Sequence, residues 1–164
     1  MINARVGARR SLAAAMIIAA TVCAPAGAKT AASGARTATM RCHVELITLA
    51  PPTAASGIEY GSVNCNAPIG TGVQQDRFSI HAASASSASA AGAYRQYFAT
   101  GTVAGAFHLT FHATAATIRY AGRAAITSGT GAYSGARGSE TISCASTDGG
   151  THSHCTTTIV LARP

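Results

Sequence analysis

Ala106-Phe107-His108-Leu109-Thr110-Phe111-His112-Ala113 alternates between apolar and polar side chains. Thr117–Thr127 repeats the pattern, with Ile118, Tyr120, Ala124 and Ile126 on one side and Arg119 and Arg123 on the other. A period of two is that of a strand with one buried face. An antiparallel turn at Thr114-Ala115 would set Phe111 opposite Ile118 and Leu109 opposite Tyr120, apolar against apolar. The same alternation runs through Met40–Leu46, Gly57–Cys65, Val73–His81 and Tyr94–Val103, and through a last hairpin, Ser139–Ala162, turning at Asp148-Gly149-Gly150-Thr151. Gly61 is a candidate bulge. Pro51-Pro52 ends the first strand, and Pro68 with Gly70–Gly72 turns the second into the third. Ala82–Ala93 is nearly all Ser and Ala and reads as a flexible loop. Seven or eight strands without intervening helices exclude an α/β sheet and predict an all-β fold, a closed antiparallel barrel or a sandwich.

Composition agrees with a small exported domain. The chain has 164 residues, enough for one domain. Hydrophobic residues reach 48% and charged residues only 10%, which excludes a disordered chain. Aromatic residues are 5%, too few for the girdles of a membrane barrel. Arg5, Arg9 and Arg10, the apolar run Leu12–Val22 and the small residues Ala26-Gly27-Ala28 form a secretory signal peptide over residues 1–28, with cleavage expected after Ala28. The adjacent Arg9-Arg10 leaves the general and twin-arginine export routes both open. The expected location is secreted or periplasmic, with a loose lead over 29–38 and one domain over 39–164. No later apolar run approaches the roughly 20 residues of a membrane-spanning helix, so no integral span is expected. The formal charge is +7, but the arginines are scattered singly, without the clustered basic face that nucleic acid requires.

Cys23 leaves with the signal, and Cys42, Cys65, Cys144 and Cys155 remain. An even number in an exported chain reads as two disulfides. Of the three connectivities, local geometry favours Cys42–Cys65 and Cys144–Cys155. Pairing about Gly149-Gly150 places Cys144 directly opposite Cys155, within reach of a bridge. The competing reading is a metal site at His152-Ser153-His154-Cys155. Strand alternation points Cys155 away from both histidines, so no metal and no cofactor are expected.

The stretch Gly129-Thr130-Gly131-Ala132-Tyr133-Ser134-Gly135-Ala136-Arg137-Gly138 allows tight bends at its glycines, with Tyr133 packing back across them. A nucleotide fingerprint would need a glycine where Ser134 stands, and a helix after it. The stretch resembles the Gly-Thr-Gly-x-aromatic-x-Gly-Ala-x-Gly signature of allene oxide cyclase and dirigent-like barrels, and of bacterial exported proteins of that fold. Ser128 replaces the usual glycine at the head of the signature. The resemblance covers about 15 residues, Ala124–Gly138, and implies an eight-stranded antiparallel barrel with an apolar cavity. It also implies either binding of a small hydrophobic molecule or cyclase chemistry on one. It assigns no catalytic residue here.

The acids outside the signal are Glu45, Glu59, Asp76, Glu140 and Asp148. Asp76 shares a face with Phe78 and Ile80 and is expected near a cavity mouth. Glu59 shares parity with Val63 and Cys65, unless a bulge at Gly61 reverses it. Either could serve as acid or base in an apolar cavity, or rest at the rim beside an arginine. His108 and His112 read as solvated strand residues. No Gly-x-Ser-x-Gly elbow supports a hydrolase. The expectation is a disulfide-stapled barrel that is not an enzyme and binds a small hydrophobic ligand or acts through its surface. The rival is a cyclase or isomerase using Asp76 or Glu59. Oligomeric state is open.

Overall fold

The computed structural model describes residues 36–49 and 55–163. The expected signal peptide and cleavage site, and Pro51-Pro52, lie outside the described residues. Eight strands follow in order: β1 (Arg36–Thr48), β2 (Ser56–Cys65), β3 (Thr71–Ala82), β4 (Ser87–Phe98), β5 (Gly101–Ala113), β6 (Ile118–Gly129), β7 (Arg137–Ser146) and β8 (His152–Arg163). Each is antiparallel to its neighbour, and β1 pairs with β8, so the sheet closes as a barrel. Closure leaves no strand edge open to another chain. Between β6 and β7 lies a single short 3-10 turn, Gly131–Tyr133.

The alternation works as the sequence indicates. Met40, Cys42, Val44 and Leu46 of β1 point inward, as do Cys155, Ile159 and Leu161 of β8, and all are buried. His108 and His112 are exposed on the outside. Cys42–Cys65 and Cys144–Cys155 are both disulfides, each joining residues directly opposite on adjacent strands. The β1–β2 register runs without interruption through Gly61, so no bulge reverses Glu59. The ladder is irregular at Ala104/Gly105 in β5.

Four expectations are corrected. Ala82–Ala93 is not a loop. Residues 83–86 make the turn, and β4 begins at Ser87. Ala88 and Ala90 face the interior, where small side chains leave room, and so give no apolar signal in the sequence. Tyr94–Val103 is not one strand, because β4 ends at Phe98 and β5 starts at Gly101. β1 starts at Arg36, inside the expected lead. The β5–β6 register is moved by two residues, pairing Phe111 with Tyr120 and Leu109 with Gly122. The turn has four residues rather than two, because Thr114 N–H donates to the Thr117 carbonyl and Thr114 Oγ1 accepts from the N–H of Thr117. A shift of two keeps each side chain on its own face, and the Phe111 and Tyr120 rings stack at 4.7 Å.

Glycines admit the large interior rings. A Cβ at Gly105 would lie 2.0 Å from the Ala125 carbonyl oxygen and 2.8 Å from Cε1 of Tyr94. Gly92 is similarly crossed by Phe107, whose Cζ would be 2.6 Å from a Cβ there. The rings of Tyr94 and Phe107 therefore lie against the barrel wall, in space that a side chain at Gly105 or Gly92 would take.

Candidate functional site

The two barrel ends differ. At one end the glycine-rich stretch forms a plug. Gly131 and Gly135 adopt φ of +58° and +73°. The chain folds back so that a Cβ on Gly129 would meet the Tyr133 carbonyl oxygen at 2.1 Å. Tyr133 is buried, its ring lies 5.8 Å from Phe98, and its hydroxyl accepts from Thr100 Oγ1 at 3.2 Å. Ile69 from the β2–β3 turn and Ala136 are buried beside the core at this end. Gly138 is the second residue of β7, where a Cβ would meet the Val160 carbonyl oxygen at 2.0 Å. Gly129, Gly131, Tyr133, Gly135 and Gly138 thus lie at the opposite end from the pocket.

That pocket, about 220 Å³, opens where the β3–β4 and β7–β8 turns meet. Phe78, Ile80, Leu109, Phe111 and Ile118 supply its apolar wall, and Ala88 and Ala90 leave its volume free. Glu59 and Tyr120 stand at its floor and also line a second, deeper cavity of about 30 Å³. Phe107 and Leu109 are shared in the same way, so the two spaces adjoin.

The deeper cavity is acidic. Register sets Glu59 opposite Asp76 and Asp76 opposite Tyr94 across β2, β3 and β4, while Glu140 enters from β7. Asp76 and Glu140 are 4% and 3% exposed. Among the described side chains every arginine and histidine is exposed, so no interior cation compensates these acids. Burial therefore decides their ionisation. It pushes Asp76 up to about 7, against the hydrogen bonds from Gln74 and with some help from Glu59 and Glu140. It pushes Glu140 up to about 7, opposed by Thr157 and Tyr94. Glu59 is also raised by burial, and Thr48 Oγ1, donating at 2.7 Å, acts against the rise. The Tyr94 and Tyr120 hydroxyls are pushed up by burial and stay protonated.

A relay of side-chain amides holds one carboxyl. Gln96 Nε2 donates to Gln74 Oε1 at 2.8 Å, and Gln74 Nε2 donates to both Asp76 oxygens, at 2.9 and 3.1 Å. Tyr94 Oη and Thr157 Oγ1 influence Glu140, yet neither forms a hydrogen bond of ordinary geometry. Both are buried and both line the deep cavity. The Cys144–Cys155 bridge forms part of the same wall, with Tyr120 Oη 3.9 Å from Cys155 Sγ.

Of the two candidate acids, Glu59 occupies the junction of pocket and cavity. Asp76 lies deeper than a mouth position. Among the described residues neither is paired with an arginine. Glu140 joins them, and its parity with Ile142 and Cys144 on β7 is the sequence signal for that position. Glu45 and Asp148 are outside, each in an ion pair with a histidine, His154 and His152 respectively. Hydrogen bonds from His152 and Ser146 hold Asp148 well below the usual carboxylate range. Among the described residues no group of three His, Cys, Asp or Glu side chains could hold a metal ion, and no helix is long and apolar enough to cross a membrane.

No protein-family model matches the sequence, and no curated protein matches it. Among solved structures, the chain is similar to a pyocyanin demethylase at 14% identity and a TM-score of 0.46, covering 77% of this chain and 99% of that one. It is also similar to the pterocarpan synthase dirigent protein GePTS1 at 10% identity and a TM-score of 0.46, covering 78% of this chain and 84% of that one. No match singles out allene oxide cyclase.

Proposed function

We propose that the chain is an exported, disulfide-stapled barrel that binds a small, mainly apolar molecule through its open end. The observation that carries this reading is the pocket of about 220 Å³ between Phe78, Ile80, Leu109, Phe111 and Ile118, kept open by Ala88 and Ala90. An apolar cavity of about 150 Å³ is already enough to take up benzene, so one ring with a short side chain fits. Apolar walls with a few convergent polar groups are the usual composition of a small-molecule site. Two buried disulfides suit an oxidising compartment and compensate for a core with little aliphatic bulk. Titration with phenethyl alcohol, followed by NMR, tests the reading. Shifts confined to residues around Ala88, Phe111 and Ile118 are expected. An unchanged spectrum at saturating ligand, or shifts scattered over the outer face, would overturn it.

A second reading, a cyclase or isomerase, is favoured by one observation. Carboxyls held near neutrality beside an apolar pocket can both give and take a proton at physiological pH. On this reading Glu59 touches the ligand, and Asp76 and Glu140 lie behind it. Turnover of the natural ligand would then be lost in Asp76→Ala or Glu59→Ala with the fold retained. Undiminished turnover in both variants would remove this reading.

A further inference from the structure

We propose that the barrel selects a hydrophobic amine, whose apolar body fills the mouth pocket and whose protonated nitrogen enters the deep cavity among Glu59, Asp76 and Glu140. This rests on the pocket-binding reading above and adds the chemical class of its ligand.

Three arguments converge. The first is charge. Three carboxyl side chains from three strands face one small space, and among the described side chains no arginine or histidine is there to neutralise them. Where these acids ionise, above about pH 7, a carboxylate ligand would meet like charge in a low-dielectric site, whereas an ammonium would supply the missing counter-charge. The second is unspent hydrogen-bonding capacity. Tyr94 Oη and Thr157 Oγ1 line the cavity, are buried with their residues 4% and 3% exposed, and act on Glu140 without a hydrogen bond of ordinary geometry. A hydroxyl that donates toward Glu140 keeps its lone pairs, so both can accept. An ammonium carries three donors and no acceptor, which complements a space lined by carboxyl and hydroxyl oxygens. The third is shape. The deep cavity, about 30 Å³, is of the order of a single water's share of the liquid, which suits a head group of one heavy atom. It adjoins the apolar pocket through Glu59, Phe107, Leu109 and Tyr120. Phe107, Tyr94 and Tyr120 also offer aromatic surface to a cation.

Uptake of the cation must be coupled to protons. The titratable groups facing the cavity are Glu59, Asp76, Glu140, Tyr94 and Tyr120; β1, β5 and β8 present none there, since Cys144 and Cys155 are bridged. Without ligand, Asp76 and Glu140 hold their protons up to about pH 7. As R–NH3+ enters, one carboxyl releases its proton to solvent, and the charge of the site is unchanged. Affinity for the amine is therefore full above about pH 7 and declines roughly tenfold per pH unit below it for each proton displaced. A neutral ligand has no such dependence.

The test is calorimetric titration of the disulfide-bonded protein with phenethylamine, phenethyl alcohol and phenylacetate, at about pH 8 and about pH 5. The amine is expected to bind at least about tenfold more tightly than the alcohol at the higher pH, with phenylacetate weakest. At the lower pH the amine's advantage disappears. Asp76→Asn with Glu140→Gln is expected to erase that advantage, so that amine and alcohol bind alike. Equal affinity for amine and alcohol at about pH 8, or an advantage that survives both substitutions, overturns the proposal while the pocket reading stands. Failure of all three probes to bind overturns the pocket reading itself.

Discussion

Replacing Asp76 by Asn should change the sign of its effect on stability with pH. In the folded chain burial holds the Asp76 carboxyl at about 7, against an ordinary 3.8. The folded state therefore binds this proton more strongly than the unfolded state. The associated stability is complete below about pH 3.8 and is lost as pH rises through about 7. At 1.36 kcal/mol for each pH unit, the loss by about pH 8 is on the order of 3–5 kcal/mol. Asparagine cannot ionise and removes that loss. Its own cost lies in the amide relay. Gln74 Nε2 donates to both Asp76 oxygens, and an Asn amide nitrogen would oppose it, at about 1 kcal/mol for the lost hydrogen bond. Asp76→Asn should thus be about 1 kcal/mol less stable than the parent near pH 4 and roughly 2–4 kcal/mol more stable near pH 8. Guanidinium unfolding of the oxidised protein, read by tyrosine fluorescence because the chain has no tryptophan, measures both values. Equal destabilisation at the two pH values, or a parent whose stability is flat across this range, would refute the claim that burial keeps this carboxyl neutral.

Three further outcomes follow from the geometry. Ala88→Leu fills the pocket from β4 and should abolish binding of phenethyl alcohol in an NMR titration, with a stability change within about 1.5 kcal/mol. Cys144→Ala with Cys155→Ala removes a bridge between residues 11 apart and should cost about 3 kcal/mol in denaturant unfolding, with the barrel's circular dichroism retained. Gly105→Ala drives a methyl against the Ala125 carbonyl and the Tyr94 ring, and should cost about 1–3 kcal/mol in the same assay while displacing the Tyr94 hydroxyl from Glu140.

Much of the barrel is legible in the sequence, because each strand with one buried face writes a period of two. Phe107, Leu109 and Phe111, and the row Met40, Cys42, Val44 and Leu46, read directly as interior positions. The Cys144–Cys155 pairing is legible for the same reason, since a hairpin about Gly149-Gly150 fixes which residues face each other. The first half of β4 is illegible because Ser and Ala carry no apolar contrast. Its alanines matter for the volume they leave, and that has meaning only against Phe78 and Phe111 on other strands. The β5–β6 turn misleads because Thr114 caps it through its own hydroxyl, lengthening a loop that looks two residues long. The acidic cavity lies between these cases. Parity places Asp76 inside, and it would have placed Glu140 there too. That Glu59, Asp76 and Glu140 share one space depends on barrel closure, which brings β7 across from β2 and β3. No pattern within a single strand contains that information.

Native mass spectrometry of the protein recovered from its own host distinguishes a binding site at the open end of the barrel from an imperfectly filled core. The expected spectrum shows both disulfides intact and an additional small molecule that dissociates on activation and is absent from Ala88→Leu. A protein that flies bare, and remains bare after exposure to host lipid extract, would contradict a binding site there and turn attention to the outer surface.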